Sequence, residues 1–213
     1  MRLSRAKVLS RALELLDEVG LDALTMRGLA TSLGVRVGGL YWHFDDKQAL
    51  LDAMAEEILS TVDLPDPALE WRERLRALAG ALREALRSRR DGAQLVAGTF
   101  VTQPHTLRAG RALTSTVLDA GIAPERASTL AFALFYYVLG HTIEEQARDS
   151  LPESSFEALL TQAEAGHAPE EADTSLRSMY AVDAGRRFLT GLDVFLDGLA
   201  VDAARTPPGA QGR

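Results

Sequence analysis

Between residues 25 and 47 the chain reads TMRGLATSLGVRVGGLYWHFDDK, and no other stretch constrains the fold as tightly. Thr25 is placed to cap a helix in which Met26, Leu29, Ala30 and Leu33 recur at helical spacing, and Gly34 stands where a left-handed residue ends such a helix. Val35 plugs the corner. A second helix, over about Val37 to Phe44, buries Leu40 and Phe44 and leaves Tyr41 and His43 facing outward. Trp42, by the same helical phase, is expected to pack as a support near the first helix of the chain. Two short helices joined by a tight glycine turn form a helix-turn-helix unit, whose second helix fits the DNA major groove.

The rest of the chain reads as helix throughout. Ser4 begins a helix with Val8, Ala12, Leu15, Leu16 and Val19 on one stripe, closed by Gly20. Asp46 caps a longer helix running to about Val62, with Ala49, Leu50, Ala53, Met54 and Ile58 on one face, and Leu64-Pro65-Asp66-Pro67 breaks it. Helices follow over 68–90 (Trp71, Leu75, Leu78, Leu82, Leu86), 93–98, 106–120 behind Pro104, 125–149 behind Pro124, and 182–203 with Phe188, Leu192, Phe195, Leu196 and Leu199. Residues 151–178 are poorly patterned: Phe156, Leu159 and Leu160 support one or two helical turns, and 166–175 reads as a mobile loop. No strand pattern, repeat or useful heptad run appears. The fold class is therefore all-α, with a helix-turn-helix domain over 1–47, a connecting helix over 48–63, a helical effector-binding and dimerisation domain over 64–204, and a disordered tail over 205–213.

Composition narrows the function. Of 213 residues, 25% are charged and 46% hydrophobic, enough to bury a good core in a soluble protein. Cysteine is absent, which excludes disulfides and thiolate metal sites and fits a cytoplasmic location. No signal peptide is visible, and the longest apolar run, Leu130 to Gly140, is far short of the roughly 20 residues that span a bilayer. The net charge of −7 is uneven: residues 1–47 carry +1, which leaves −8 on the body. Phosphate would repel that body, so only the N-terminal head can approach DNA, and binding should be salt-sensitive. His43, His105, His141 and His167 are scattered, and no G-x-S-x-G, H-E-x-x-H or phosphate-cradling glycine loop occurs, so neither catalysis nor a cofactor is expected.

Residues 5–59 strongly resemble the N-terminal domain of the tetracycline-repressor (TetR) family, with LYWHF-x-x-K-x-x-LL as a specific signature. Two later segments, SRRDGAQLVAGT (88–99) and LGHTIEEQ (139–146), are similar to ligand-domain segments of that family's tetracycline-responsive branch. The resemblance implies a ligand-responsive transcriptional regulator, a repressor released from a palindromic operator by a small-molecule effector. It also implies a homodimer, in which helices 125–149 and 182–203 form a four-helix bundle with their symmetry mates. A ligand-independent DNA-binding or architectural protein is the alternative.

Base edges in the major groove are read by side chains near the start of a recognition helix, here Arg36, Val37, Gly38 and Gly39. Arg36 suits a guanine, Val37 a thymine methyl, and the two glycines permit close backbone approach. By resemblance Arg27 is a further base reader, and Tyr41 and Lys47 hold phosphates, joined by His43. Phe100, His105, Phe132, Phe135, Tyr136, His141 and Glu144 are the candidate ligand-binding residues, an aromatic set with a few polar groups. The resemblance places a magnesium-binding histidine of the family at Val96 and an arginine at Phe100, while Glu144 matches an acid near that metal. The effector is therefore expected to be more apolar than magnesium-tetracycline. His141 and Glu144 lie three apart on one helical face, too few ligands for a metal site. The helix from Asp46 to Val62 is the lever that would carry ligand binding to the heads.

Overall fold

The computed structural model describes residues 3–99, 103–164 and 176–205. Phe100, the loop expected over 166–175 and the tail from 206 lie outside the described residues. The head comprises α1 (Arg5–Val19), α2 (Met26–Leu33) and α3 (Gly38–Tyr41), followed by α4 (Lys47–Ser60). The body comprises α5 (Trp71–Arg87), α6 (Gly92–Ala97), α7 (Pro104–Asp119), α8 (Pro124–Asp149), α9 (Glu153–Glu164), α10 (Leu176–Ala181) and α11 (Ala184–Arg205).

Local chemistry sets the ends of the head helices. Ser4, Thr25 and Asp46 each turn a side-chain oxygen onto a backbone N–H three residues on: Lys7 at 3.3 Å, Gly28 at 3.0 Å and Ala49 at 2.7 Å. At the end of α2, Gly34 adopts φ 66°, and the N–H groups of Gly34 and Val35 reach the carbonyls of Thr31 and Ala30, both at 3.0 Å. That paired closure requires a residue at ease in the left-handed region.

Val8, Ala12, Leu16, Leu29, Leu40, Phe44, Leu50 and Met54 close the head's core, each 2% exposed or less. It is continuous with the body's core of Leu75, Leu78, Leu82, Leu86, Val117, Leu134, Val138, Leu192 and Leu196. Continuity runs through α4, which packs on α1 at one end and on α5, α6 and α7 at the other. On the far side, α11 is held to α5 by Arg72–Asp197 and Arg76–Asp193, and to α8 by Arg126–Asp202 at 2.8 Å. Tyr137 donates to the Phe188 carbonyl at 2.7 Å, and a β-carbon at Gly191 would overlap the Tyr137 hydroxyl, so glycine there lets α8 and α11 close up.

Four expectations need correction. Val19 is 39% exposed because the buried stripe of α1 ends at Leu16. The recognition helix stops at Tyr41, and only a turn, His43 and Phe44 N–H to the Leu40 carbonyl at 2.9 and 3.0 Å, carries the chain on. Residues 153–164 form a 12-residue helix, longer than the one or two turns expected. The short α10, not anticipated, docks on it through Tyr180, whose ring meets Phe156 edge-on at 4.9 Å.

Candidate DNA interface and its link to the body

In the helix-turn-helix Arg27, Arg36, Gly38, Tyr41, Trp42 and Lys47 are all exposed, and Val37, Gly39 and His43 are half-buried. Leu40 and Phe44 point the other way and anchor α3 in the core, which fixes the orientation of the exposed set. Arg27, Arg36 and Lys47 have no ion-pair partner among the described residues. Cations left in this state can meet phosphate or base edges without breaking an internal contact.

Trp42 overturns its expected role, since 89% of its surface is exposed and it supports nothing. Helical phase misplaced it because α3 has already ended at Tyr41, and Trp42 itself is the closing residue. A large indole held in water on this surface extends the candidate interface by one aromatic side chain.

Two structures connect this head to the body. The first is reciprocal capping between α4 and α7. The Glu56 carboxylate accepts the His105 N–H at 2.6 Å, the Thr106 N–H at 3.1 Å and the Thr106 hydroxyl at 2.9 Å. Arg108 in turn donates to the Val62 and Ser60 carbonyls at 2.9 and 3.3 Å. An acid of α4 thus closes the N-terminus of α7, and a base of α7 closes the C-terminus of α4. The second link joins the end of α1 to the corner between α5 and α6. The Leu21 N–H donates to the Asp91 carboxylate at 2.8 Å, and Asp17 receives the Arg90 N–H at 3.0 Å and the Arg89 guanidinium at 2.7 Å. Asp91 itself takes a left-handed backbone, φ 55°, a conformation aspartate tolerates better than most residues. Gln146 of α8 pins the same corner, donating to the Arg89 carbonyl at 2.7 Å and accepting from the Ala93 N–H at 3.1 Å.

The candidate ligand residues do not share one face. His105 sits half-buried at the α4–α7 junction, and Phe135 is half-buried against the core. Phe132 and Tyr136 are 53% and 63% exposed on the outer side of α8, their rings 6.0 Å apart. His141 packs toward α11, 5.3 Å edge-on from Phe188 and 6.1 Å from Tyr137. Its neighbouring acid is Glu145, 3.9 Å away, and not Glu144, which is exposed and accepts the Tyr180 hydroxyl. Burial lowers the basicity of His141, and Glu145 partly opposes this. Glu145, 5% exposed, is held by Arg83 at 2.5 and 2.9 Å and by Arg87 at 3.3 Å. Where the family resemblance calls for a metal-binding histidine, Val96 presents a buried, apolar side chain with no coordinating atom. This donor set does not fit a magnesium-bound ligand.

Residues 8–54 match the family described as bacterial regulatory proteins, tetR family, and residues 64–203 match the tetracyclin repressor-like C-terminal domain. The chain belongs to the TetR family of transcriptional regulators. It is 36% identical over 201 residues to the tetracycline repressor protein class C of Escherichia coli, covering 93% of this chain and 91% of that one. Among solved structures, it resembles a possible TetR family transcriptional regulator from Streptomyces coelicolor A3(2), with 40% identity, a TM-score of 0.84, and 93% and 99% of the two chains covered. It also resembles BioQ bound to its double-stranded DNA operator, at 33% identity and a TM-score of 0.73, covering 94% and 99%. A variant of TetR from Acinetobacter baumannii AYE in complex with minocycline is similar at 34% identity and a TM-score of 0.74, covering 97% and 100%. No helix among the described residues is long and apolar enough to cross a membrane.

Proposed function

We propose that this protein is a cytoplasmic, non-enzymatic repressor that binds a palindromic operator as a homodimer and leaves it when a small molecule enters the helical body. The observation that carries this reading is the exposure of Arg27, Arg36, Tyr41, Trp42 and Lys47 within the helix-turn-helix segment. Arg27 and Arg36 read base edges, and Tyr41, His43 and Lys47 hold phosphates. We place the head at residues 1–47, the connecting helix at 48–63 and the regulatory body at 64–204.

One three-helix head covers too few base pairs to be selective, and two heads must be set about 34 to 36 Å apart to match successive turns of the duplex. The pairing surface is the outer side of α8 and α11, where Phe132, Tyr136, Val194 and Val201 are each more than half exposed and Leu189 nearly so. A shallow groove of about 480 Å³ between these helices, floored by Leu130, Phe195 and Leu199, gives the partner a place to interdigitate. Phe132 and Tyr136 would then reach a ligand only from within the dimer. The effector itself differs from magnesium-tetracycline, because Val96 offers no ligand to a metal. The bound complexes of similar chains, one with operator DNA and one with minocycline, support the two-site scheme.

The test is to select duplexes from a random pool with the purified protein and then measure two variants on the recovered site. Arg36→Ala should relax preference at one base pair per half-site, and Lys47→Ala should weaken all sequences alike. Recovery of no palindrome, or equal and sequence-blind losses from both changes, would refute the assignment. Thermal stabilisation by a compound that also releases the operator separates this reading from a ligand-independent DNA-binding protein.

A further inference from the structure

Among the described residues four arginines stack on aromatic rings: Arg5 on Phe44, with 4.6 Å from guanidinium carbon to ring centroid, Arg83 on Phe188 at 5.3 Å, Arg148 on Phe156 at 3.8 Å and Arg187 on Tyr180 at 5.0 Å. Three of these cations are answered from within the fold. Arg83 is paired with Glu145 and Arg148 with Glu153, both at 2.5 Å, while Arg187 donates to the Val182 carbonyl at 2.7 Å. Arg5 is the exception, exposed and with no ion pair or hydrogen bond from its side chain to any described residue. Asp45 and Asp46 adjoin Phe44 in the chain, yet neither pairs with it, and the Asp46 carboxylate accepts the Ala49 N–H at 2.7 Å. A cation here also works against α1, whose first turn holds Arg5 and Lys7 and no acid, the opposite of what the positive end of a helix dipole favours.

We propose that Arg5 is a phosphate-binding residue of the head, held ready on the Phe44 ring for a backbone phosphate of the operator. This rests on the DNA-binding reading above and adds to it a contact from α1. The stack fixes where the cation is. Phe44 closes the turn after α3 through its N–H to the Leu40 carbonyl, and Lys47, already read as a phosphate holder, opens α4 three residues later. A ring steadies a guanidinium through its face and leaves the N–H fork at its edge open, and that fork matches two phosphate oxygens. Part of the ordering cost of a long side chain is then met before DNA arrives. Phosphates carry no sequence, so Arg5 sets register and affinity and does not choose bases.

Arg5→Gln tests this on the full-length protein with the palindrome selected by wild type. Two heads each lose one phosphate contact, so the slope of log affinity against log salt should become shallower by about 1.8, at about 0.9 per contact. Affinity at moderate salt should fall about tenfold or more, alike on the palindrome and on single-base variants of it. Arg5→Lys, which keeps the charge, should retain most of the slope. Arg111→Gln removes the same charge from an exposed position on α7 of the body and should leave the slope unchanged. The Tm of Arg5→Gln should stay within about 3 °C of wild type, since only an exposed stack is lost. A wild-type slope in Arg5→Gln would overturn the proposal even if affinity fell, because a cation that only steadies Phe44 releases no counterions. A changed base preference would overturn it too, and so would an equal loss of slope from Arg111→Gln. A wild-type protein that selects no duplex at all would instead refute the underlying assignment.

Discussion

Replacing Glu56 with alanine should loosen the connection between the DNA-reading head and the body by a predictable amount. The carboxylate receives three hydrogen bonds, from the N–H groups of His105 and Thr106 and from the Thr106 hydroxyl, at 2.6, 3.1 and 2.9 Å. Losing a helix cap costs about 0.5 to 2 kcal/mol, and a hydrogen bond to a charged group contributes about 1.5 to 3 kcal/mol. Because Glu56 is only partly buried, water replaces some of what is lost, and about 2 kcal/mol is a reasonable net figure. For a chain of this size that corresponds to a fall of about 4 to 8 °C in Tm, measured at fixed protein concentration because the proposed assembly is a dimer. Glu56→Gln, which keeps one acceptor, should fall between alanine and wild type. Glu57→Ala, at an exposed neighbouring position, should stay within about 0.5 kcal/mol of wild type. Removing Arg108 should reproduce the Glu56 effect in kind, since it opens the other half of the same clamp. If Glu56→Ala melted together with Glu57→Ala, the reciprocal caps would not be what holds α4 to α7.

Other outcomes follow from the same physics. Glu145→Gln should destabilise the protein by about 3 kcal/mol in denaturant titrations, because it strands Arg83 and Arg87 beside a neutral partner in the α5–α8 interface. Trp42→Ala should leave Tm within about 1 °C of wild type, since an exposed side chain away from such networks changes stability little, yet weaken operator binding. In the intact protein, operator binding should shield the indole of Trp42 from a soluble fluorescence quencher. Burial holds His141 below its ordinary value of 6.5, so below that pH the unfolded chain takes up a proton that the folded chain refuses. Stability should therefore decline as pH falls from about 6.5 toward the lower folded value, and His141→Phe should flatten that part of the pH profile.

What could be read from the sequence was what neighbours in the chain decide among themselves. Ser4, Thr25 and Asp46 cap helices through atoms three residues away, and Gly34 closes one through carbonyls three and four residues back, so all four are legible. The helices of residues 153–181 were not. Their apolar positions are few, and the contacts that fix them are distant: the Arg148 guanidinium 3.8 Å over the Phe156 ring, and Tyr180 bonded to Glu144. Glu56 and Arg108 carry no sequence signal for a related reason, since a lone charge on an amphipathic helix looks like solvated surface until the facing helix is known. Spacing puts both Glu144 and Glu145 within a helical turn of His141, and only the packing of α8 shows that Glu145 is the one turned inward, against Arg83. Helical periodicity misplaces Trp42 because α3 ends at Tyr41, one residue before it.

The docking of Leu21 and Asp17 on the Arg89–Asp91 corner gives the head a second attachment beside α4. A rigid piece fastened at one point can wobble in any direction, whereas one fastened at two can only turn about the line between them. Through that second attachment the corner between α5 and α6 is tied to the head directly as well as by way of α4, so the two parts share two routes of contact.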